Sequence, residues 1–584
     1  MHYLTWLPLH HRHYYHWLPL GIMVFWLLFI IPIYLPNMGG SGLKLPQNII
    51  SWGVMAATIA AIWLSIRTKK TFRLTATVRW IILAVVILAI PLIYTPHQWR
   101  EMALTRWLAL VGGLVFYISL LQYSALQRCL PWLLYSILAA STLQAGIAIL
   151  QFIIPDTIPI YFAYPQHHGR PYGVFQQVNV LASFIATGLM LALLLLLSPS
   201  FSLSTPQAER ARQYILGLLL LIFPALLVWL QSRIGWLSGL ISCTLLLLLG
   251  WKTARVRTLT TIGIIGLSIT FAIFFKLGGN IIDIEHVNSN HARLIMLKTT
   301  LGMITEKPWQ GWGYGGFEYN FQHYRMAQGL STLGLGIVTH PHNELLFWWA
   351  EGGVVALIGM LILIYIGARF VWRICRPVQY ISQQQIFLAR ALICTLLPIL
   401  LHCQTEYPFT LSSAHWVIFL LLLAQLDQLT NNVTEHRLAT AVIANMLIAL
   451  SATGVLIFAF GLYANLTLTT AEREHLVNIE PARAAMKYDL WMNTERWHYD
   501  QQTHALLVFN QTRNPALLSN YTHWAKNYLS KRIDKNVYAT WLAITQYQQD
   551  AHTHHRLRQE AHSLFPDDVR FFPPFILQRP DSAL

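Results

Sequence analysis

Runs of about twenty consecutive apolar residues recur along this chain, and nothing in it constrains the fold more. A helix rises 1.5 Å per residue, so a run of that length matches the roughly 30 Å hydrocarbon layer of a bilayer. Thirteen such runs can be laid out in the 584 residues, the first at 17–36 and the last at 440–463. Hydrocarbon offers no water to backbone N–H and C=O groups, so each run is expected to be helical. Composition agrees: only 11% of the residues are charged, against about 25% in soluble domains. The expectation is an all-α polytopic membrane protein with about 13 transmembrane helices. A membrane domain covers 1–463 and contains a large loop at 278–343; a helical C-terminal domain covers 464–584. The first run is too long, and too poorly followed by small residues, for a cleaved signal peptide, so it is expected to stay as an anchor.

The formal charge of +16 would suit a nucleic-acid partner if it formed one surface, but it does not. Residues 1–463 hold 27 Lys and Arg against 12 Asp and Glu, while the tail is balanced at 13 against 12. The excess sits in short loops such as "RTKKTFRLTATVR" (67–79), "KTARVR" (252–257) and "RFVWRICR" (369–376). By the positive-inside rule these face the cytoplasm, so no nucleic-acid partner is expected. An odd number of spans then puts the tail outside. The five cysteines lie in or beside the spans without CxxC spacing, which supports neither a disulfide framework nor a zinc site. The histidine groups "HHRHYYH" (10–16) and "HTHH" (552–555) read as solvated surface.

With the loops alternating from there, the outer set is 37–47, 96–103, 155–177, 231–233, 277–343, 402–411 and the tail. Arg170, Gln177, Arg233, Arg293, His340, His342, Glu406 and Tyr407 all fall in it. They come from separate loops yet share one face, so a single external site is expected. Arginines at a membrane boundary are costly and usually have an anionic partner. A guanidinium grips phosphate oxygens in bidentate fashion, and Arg170, Arg233 and Arg293 together suggest a diphosphate. Arg100 and Arg106 read instead as snorkelling towards headgroups. The Gly-rich "WQGWGYGG" (309–316) lacks the setting of a phosphate loop and reads as turn punctuation, with Trp309 and Trp312 at the membrane interface.

In "VTHPHNELLFWWAEGG" (338–353), polar residues meet the start of a span. Pro341 favours a first turn, which would put His342 at a helix N-terminus with a depressed pKa. A neutral imidazole there could accept a proton from a hydroxyl. Plain capping by His342 and Asn343 is the alternative, and a metal held by His340, His342 and Glu344 is a weaker one.

Taken in order, "QSRIGWL", "ARLIMLKTTLGMITEKPWQGWGYGGF" and "HPHNELLFWWAEGG" resemble the O-antigen ligase and Wzy polymerase superfamily. "RPYGVFQQVNVLA", "HCQTEYPF" and the extra C-terminal domain resemble, within it, the PglL-type bacterial protein O-oligosaccharyltransferases. The resemblance implies transfer of a preassembled glycan from an undecaprenyl pyrophosphate carrier to a hydroxyl of an acceptor protein such as a type IV pilin. It places this at the periplasmic face of the inner membrane, without metal or cofactor. It also implies a catalytic His342, with Gln177 and Tyr407 at the family's other functional positions and Arg233 and Arg293 on the pyrophosphate. Arg170 is added to the pyrophosphate-binding pair, and Asn343, Glu406 and Asn179 are added as supporting residues. An O-antigen ligase acting on lipid A-core and a Wzy-type polymerase remain open as alternatives. A secondary transporter would instead show midplane binding groups and inverted repeats.

Overall fold

The computed structural model describes residues 14–67, 71–123, 125–162, 170–281, 287–376, 382–431, 433–437 and 440–572. Among these, twelve helices are long and apolar enough to cross a bilayer, and a shorter apolar helix covers Trp17–Ile30. This is an all-α, multi-pass membrane protein. The first helix stops short of the expected 36 because Pro32 and Pro36 follow it, and proline supplies no N–H to continue the ladder.

The helix Val178–Leu197 lies at the centre of the bundle, walled in by protein along its whole length. Small residues let its neighbours close in. A Cβ on Gly235 would stand 2.7 Å from Ala182 Cβ, and one on Gly188 would stand 2.5 Å from Ser141 Cβ. At the periphery, Thr440–Arg473 runs 34 residues, about 51 Å, well beyond a bilayer's thickness. Val442, Met446, Leu450, Leu456 and Phe460 are exposed along it, as a lipid-facing side requires.

The two ends of the bundle differ. At one, strands Thr71–Leu74 and Thr434–Arg437 pair antiparallel, next to the basic loops. At the other lie the large loop and the tail. Helices Val287–Glu306 and Phe317–Ala327 flank the Gly-rich turn, which docks by its backbone into a break in the helix Glu344–Cys375. Gly353 at the break has φ +66°, and a Cβ there would stand 2.1 Å from Trp309 O. Trp312 N–H donates to Ala350 O (2.9 Å) and Gly313 N–H to Glu351 O (2.8 Å). The buried Glu351 carboxylate accepts from the N–H groups of Gly315 and Phe317, at 3.0 Å each. Arg106 completes this knot as the ion-pair partner of Glu351, its guanidinium 4.4 Å from the Phe347 ring. The snorkelling expected for Arg106 is therefore corrected, because a buried carboxylate outcompetes headgroups as its partner. The turn is structural, and it anchors the loop that carries Arg293.

Among the described residues of the tail, five α-helices follow Arg473: Glu480–Met486, Thr494–Thr512, Pro515–Leu529, Lys535–Tyr547 and Ala551–Leu564. The last four enclose a core that includes Phe509, Tyr521, Trp541 and Phe571. The "HTHH" group lies on Ala551–Leu564, with His554 bonded to Thr545; most of "HHRHYYH" lies outside the described residues. Arg532 ties the tail down by bridging Glu318 of the large loop (3.2 Å) and Glu495 (3.1 Å), which Lys44 also approaches at 3.6 Å.

Candidate active site

The site is assembled where four connections meet at the tail-side end. Ser232 caps the helix Arg233–Thr253 by accepting from Gly235 N–H at 3.2 Å, and its hydroxyl donates to Asn179 Oδ1 at 2.7 Å. The glycine contact between these two helices makes that short bond possible. Asn179 in turn donates from Nδ2 to Glu406 Oε1 (2.7 Å), and Arg293 Nη2 donates to the same oxygen (3.1 Å). Arg233 bonds through Nη1 to Asn290 Oδ1, one turn before Arg293 on the loop helix. The two arginines are close enough to repel one another.

The "HPHN" segment reaches this cluster because it is stitched to the 402–408 turn. Glu344 N–H donates to Cys403 O (3.0 Å), and Asn343 Nδ2 donates to Gln404 O (3.2 Å). Asn343 caps the Glu344 helix, its Oδ1 accepting from Leu346 N–H at 2.9 Å. His342 is consequently not in the first helical turn, as Pro341 had suggested. It precedes the cap with a left-handed φ of 57°. Its N–H donates to His340 Nδ1 (2.9 Å), while His342 Nδ1 lies 4.0 Å from Glu406 Oε1. That nitrogen is buried without a hydrogen-bond partner. The conformation costs energy in a non-glycine residue, and such strain recurs at functional sites.

Electrostatics follow from burial. Desolvation lowers the His342 pKa; Glu406 pulls it back up, and Arg293 depresses it further. The cause is burial more than the helix dipole invoked from sequence. His340 is buried against Tyr407 and Phe347, with ring centroids 4.3 Å away in each case. Burial holds it well below the ordinary histidine value, with the His342 and Arg106 charges adding to the effect. Burial alone would raise Glu406, which is 1% exposed, but His402, His342 and Arg293 bring it below the usual carboxylate range. Tyr407 follows in sequence, its ring 6.0 Å from His342, and burial raises its hydroxyl.

The structure therefore brings together Asn179, Arg233, Arg293, His342, Asn343, Glu406 and Tyr407. Gln177 occupies the cap position of Val178–Leu197, and its Oε1 is buried without a partner. Arg170 differs: its Nε is buried and unpartnered, and no bond among the described residues ties it to Glu406. Sequence reasoning missed Ser232, Asn290, Ser183 and His402. Only His402 carried a local signal, its i,i+4 spacing to Glu406 within "HCQTE". Among the described residues no three His, Cys, Asp or Glu side chains are grouped to hold a metal ion. Chemically, Arg293 is paired with Glu406 while Arg233 bonds the neutral Asn290 amide, which leaves positive charge for an anion next to an imidazole nitrogen free to take a proton.

Comparison with known proteins follows the same landmarks. Three family models match in succession: a protein glycosylation ligase at 171–196, an O-antigen ligase at 216–361, and the C-terminal part of a membrane-bound polymerase virulence factor at 390–573. Gln177 and Asn179 fall in the first, Arg233, Arg293 and His342 in the second, Glu406 and Tyr407 in the third. The longest loop and the spans around it, residues 216–361, are thus similar to the O-antigen ligases. Residues 171–196, which lead into and form most of the central helix, are similar to protein glycosylation ligases. In agreement, the chain is 24% identical over 251 residues to the general O-oligosaccharyltransferase of Acinetobacter baylyi (strain ATCC 33305 / BD413 / ADP1). That alignment spans 38% of this chain and 40% of the relative.

Proposed function

We propose that this protein transfers a preassembled oligosaccharide from a polyprenyl (undecaprenyl) pyrophosphate to a side-chain hydroxyl of an acceptor protein such as a pilin. The reaction would take place at the periplasmic face of the inner membrane. The observation that carries the reading is the partnerless His342 Nδ1, 4.0 Å from buried Glu406 and beside two arginines. In this reading the acceptor oxygen bonds to the anomeric carbon as the bond from that carbon to the diphosphate oxygen breaks. The electron pair leaves with the diphosphate, which Arg233 and Arg293 neutralise. The acceptor proton passes to His342, and the Glu406 carboxylate stabilises the imidazolium. Gln177 and Tyr407 orient donor and acceptor around that centre. Lipid on the outer faces of the bundle accommodates the polyprenyl tail.

The tail supports a protein acceptor, because it braces the loop carrying Arg293 and adds a large polar surface on that side. Deleting the gene and measuring pilin mass and lipopolysaccharide in parallel tests the choice. Loss of a glycan mass from the pilin with unchanged lipopolysaccharide is expected; the reverse outcome makes the protein a lipid A-core ligase.

A further inference from the structure

Behind Glu406 lies a row of buried polar groups that the transfer step does not use. Glu406 Oε2 meets His402 Nε2 at 3.3 Å, and His402 Nδ1 meets Ser183 Oγ at 2.9 Å. Ser183 Oγ meets His415 Nε2 at 3.1 Å, and His415 Nδ1 meets Ser412 Oγ at 2.9 Å. Ser183, His402, Ser412 and His415 are each at most 3% exposed. Phe175 and Phe184 close over the His415 ring, with centroids 5.6 and 5.4 Å away. Ser183 follows Asn179 by one helical turn, so one face of the central helix serves both carboxylate oxygens.

One set of proton positions satisfies every link with both imidazoles neutral. Ser412 O–H donates to His415, His415 Nε2–H to Ser183, Ser183 O–H to His402, and His402 Nε2–H to Glu406. All four donors then point the same way, towards the carboxylate, and each bond polarises the next. Val180 O also lies 3.1 Å from Ser183 Oγ; the proton is assigned to the His402 bond because an ion held away from water favours charge-directed donors.

We propose that the chain Ser412–His415–Ser183–His402 holds Glu406 as a carboxylate and fixes it beneath His342, which makes His402 and His415 positioning residues of the site. The proposal rests on the transfer reading above only for its kinetic consequence. The other groups facing Glu406 are Asn179 from the central helix, Arg293 from the loop helix, His342 from the "HPHN" segment and the adjoining Tyr407. None of these is altered by cutting the chain at Ser183, which removes a single oxygen.

The test uses the full-length protein in lipid nanodiscs and two readouts. The first needs no turnover: an infrared pH titration of the protonated-carboxyl band, assigned to Glu406 by its loss in Glu406→Gln. Ser183→Ala should move that titration up by about one pH unit, because the lost donors favoured the ionised form. The second is kinetic. Ser183→Ala should lower kcat about tenfold with unchanged KM for the lipid-linked donor, and it should add nothing in a Glu406→Gln background. If Ser183→Ala does not accumulate, His415→Gln breaks the next link and carries the same expectations. An unmoved carboxyl titration overturns the proposal, as does a double variant whose loss equals the product of the two single losses. Absence of any glycan transfer by the wild type would overturn the transfer reading alone and leave the titration standing.

Discussion

Two buried carboxylates stand at opposite ends of the helix bundle, and their surroundings could hardly differ more. Asp427, at the strand-side end, is fully buried and bonded to the hydroxyls of Thr75 (2.6 Å), Thr77 (3.0 Å) and Tyr117 (2.6 Å) and to the Asn431 amide. All four donors are neutral, and they tie the first strand's end to the helix Ser413–Thr430. Glu406, at the tail-side end, is just as buried. It is ringed by Arg293, His342 and His402 and lies 4.0 Å from a nitrogen with no partner. Burial alone therefore does not mark a site. Ionisable partners, left incompletely satisfied, do.

Four substitutions and one pH titration sharpen that contrast. The largest effect should come from His342→Ala, which removes the proton acceptor. General-base assistance is worth about 10²–10⁴-fold, so kcat for glycan transfer should fall by that factor with the melting temperature nearly unchanged. Asp427→Ala should do the opposite, lowering stability by about 1–3 kcal/mol as buried hydroxyls lose their acceptor while the folded fraction keeps normal kcat. Calorimetry and transfer assays on both variants decide whether the two ends separate function from stability.

Arg233→Lys comes next. Lysine keeps the charge but loses the planar fork, so donor binding should weaken by about 1–3 kcal/mol, read as a rise in KM. Wild-type donor dependence in this variant would show that the bidentate clamp is wrong.

The pH profile should show a smaller effect. His342 has a folded pKa below its ordinary 6.5, so it stays neutral, and able to accept a proton, as pH falls through that value. Transfer should therefore hold its rate as pH falls through the ordinary histidine value and decline only below it. A half-loss centred on the ordinary histidine value would mean that His342 is not desolvated.

Arg532→Ala should be mildest for chemistry. It cuts the bridge between Glu318 and Glu495, so limited proteolysis should release the tail faster while transfer drops only a few-fold. Unaltered proteolysis would show that Arg532 does not hold the tail down.

The sequence carried the architecture better than the site's wiring, for a physical reason. Spans and loop sides depend on local hydrophobicity and charge, so the helix count and the gathering of Arg233, Arg293, His342 and Glu406 could be anticipated. Their partners could not. Ser232 meets Asn179 across 53 positions, and Arg106 meets Glu351 across 245; tertiary packing alone fixes such pairs. The position of His342 was misjudged because Pro341 suits a first helical turn. The helix instead starts three residues after Pro341, at Glu344, whose N–H pairs with Cys403 O. Ser183 and His415 look like ordinary core positions until their distances to His402 are known.

The most direct measurement of the central claim is glycan transfer by the purified protein, with polyprenyl-diphosphate-linked glycan as donor and a pilin as acceptor, in the presence of a chelator. Wild type should add the glycan mass to the acceptor and release polyprenyl diphosphate. His342→Ala should do neither at a comparable rate. His340→Ala should retain more activity and lose stability, since its ring is packed between Tyr407 and Phe347. Near-normal transfer by His342→Ala would reduce that residue to part of a helix cap and contradict the account. Loss of wild-type transfer in chelator would contradict it differently, by returning His340, His342 and Glu344 to the role of metal ligands.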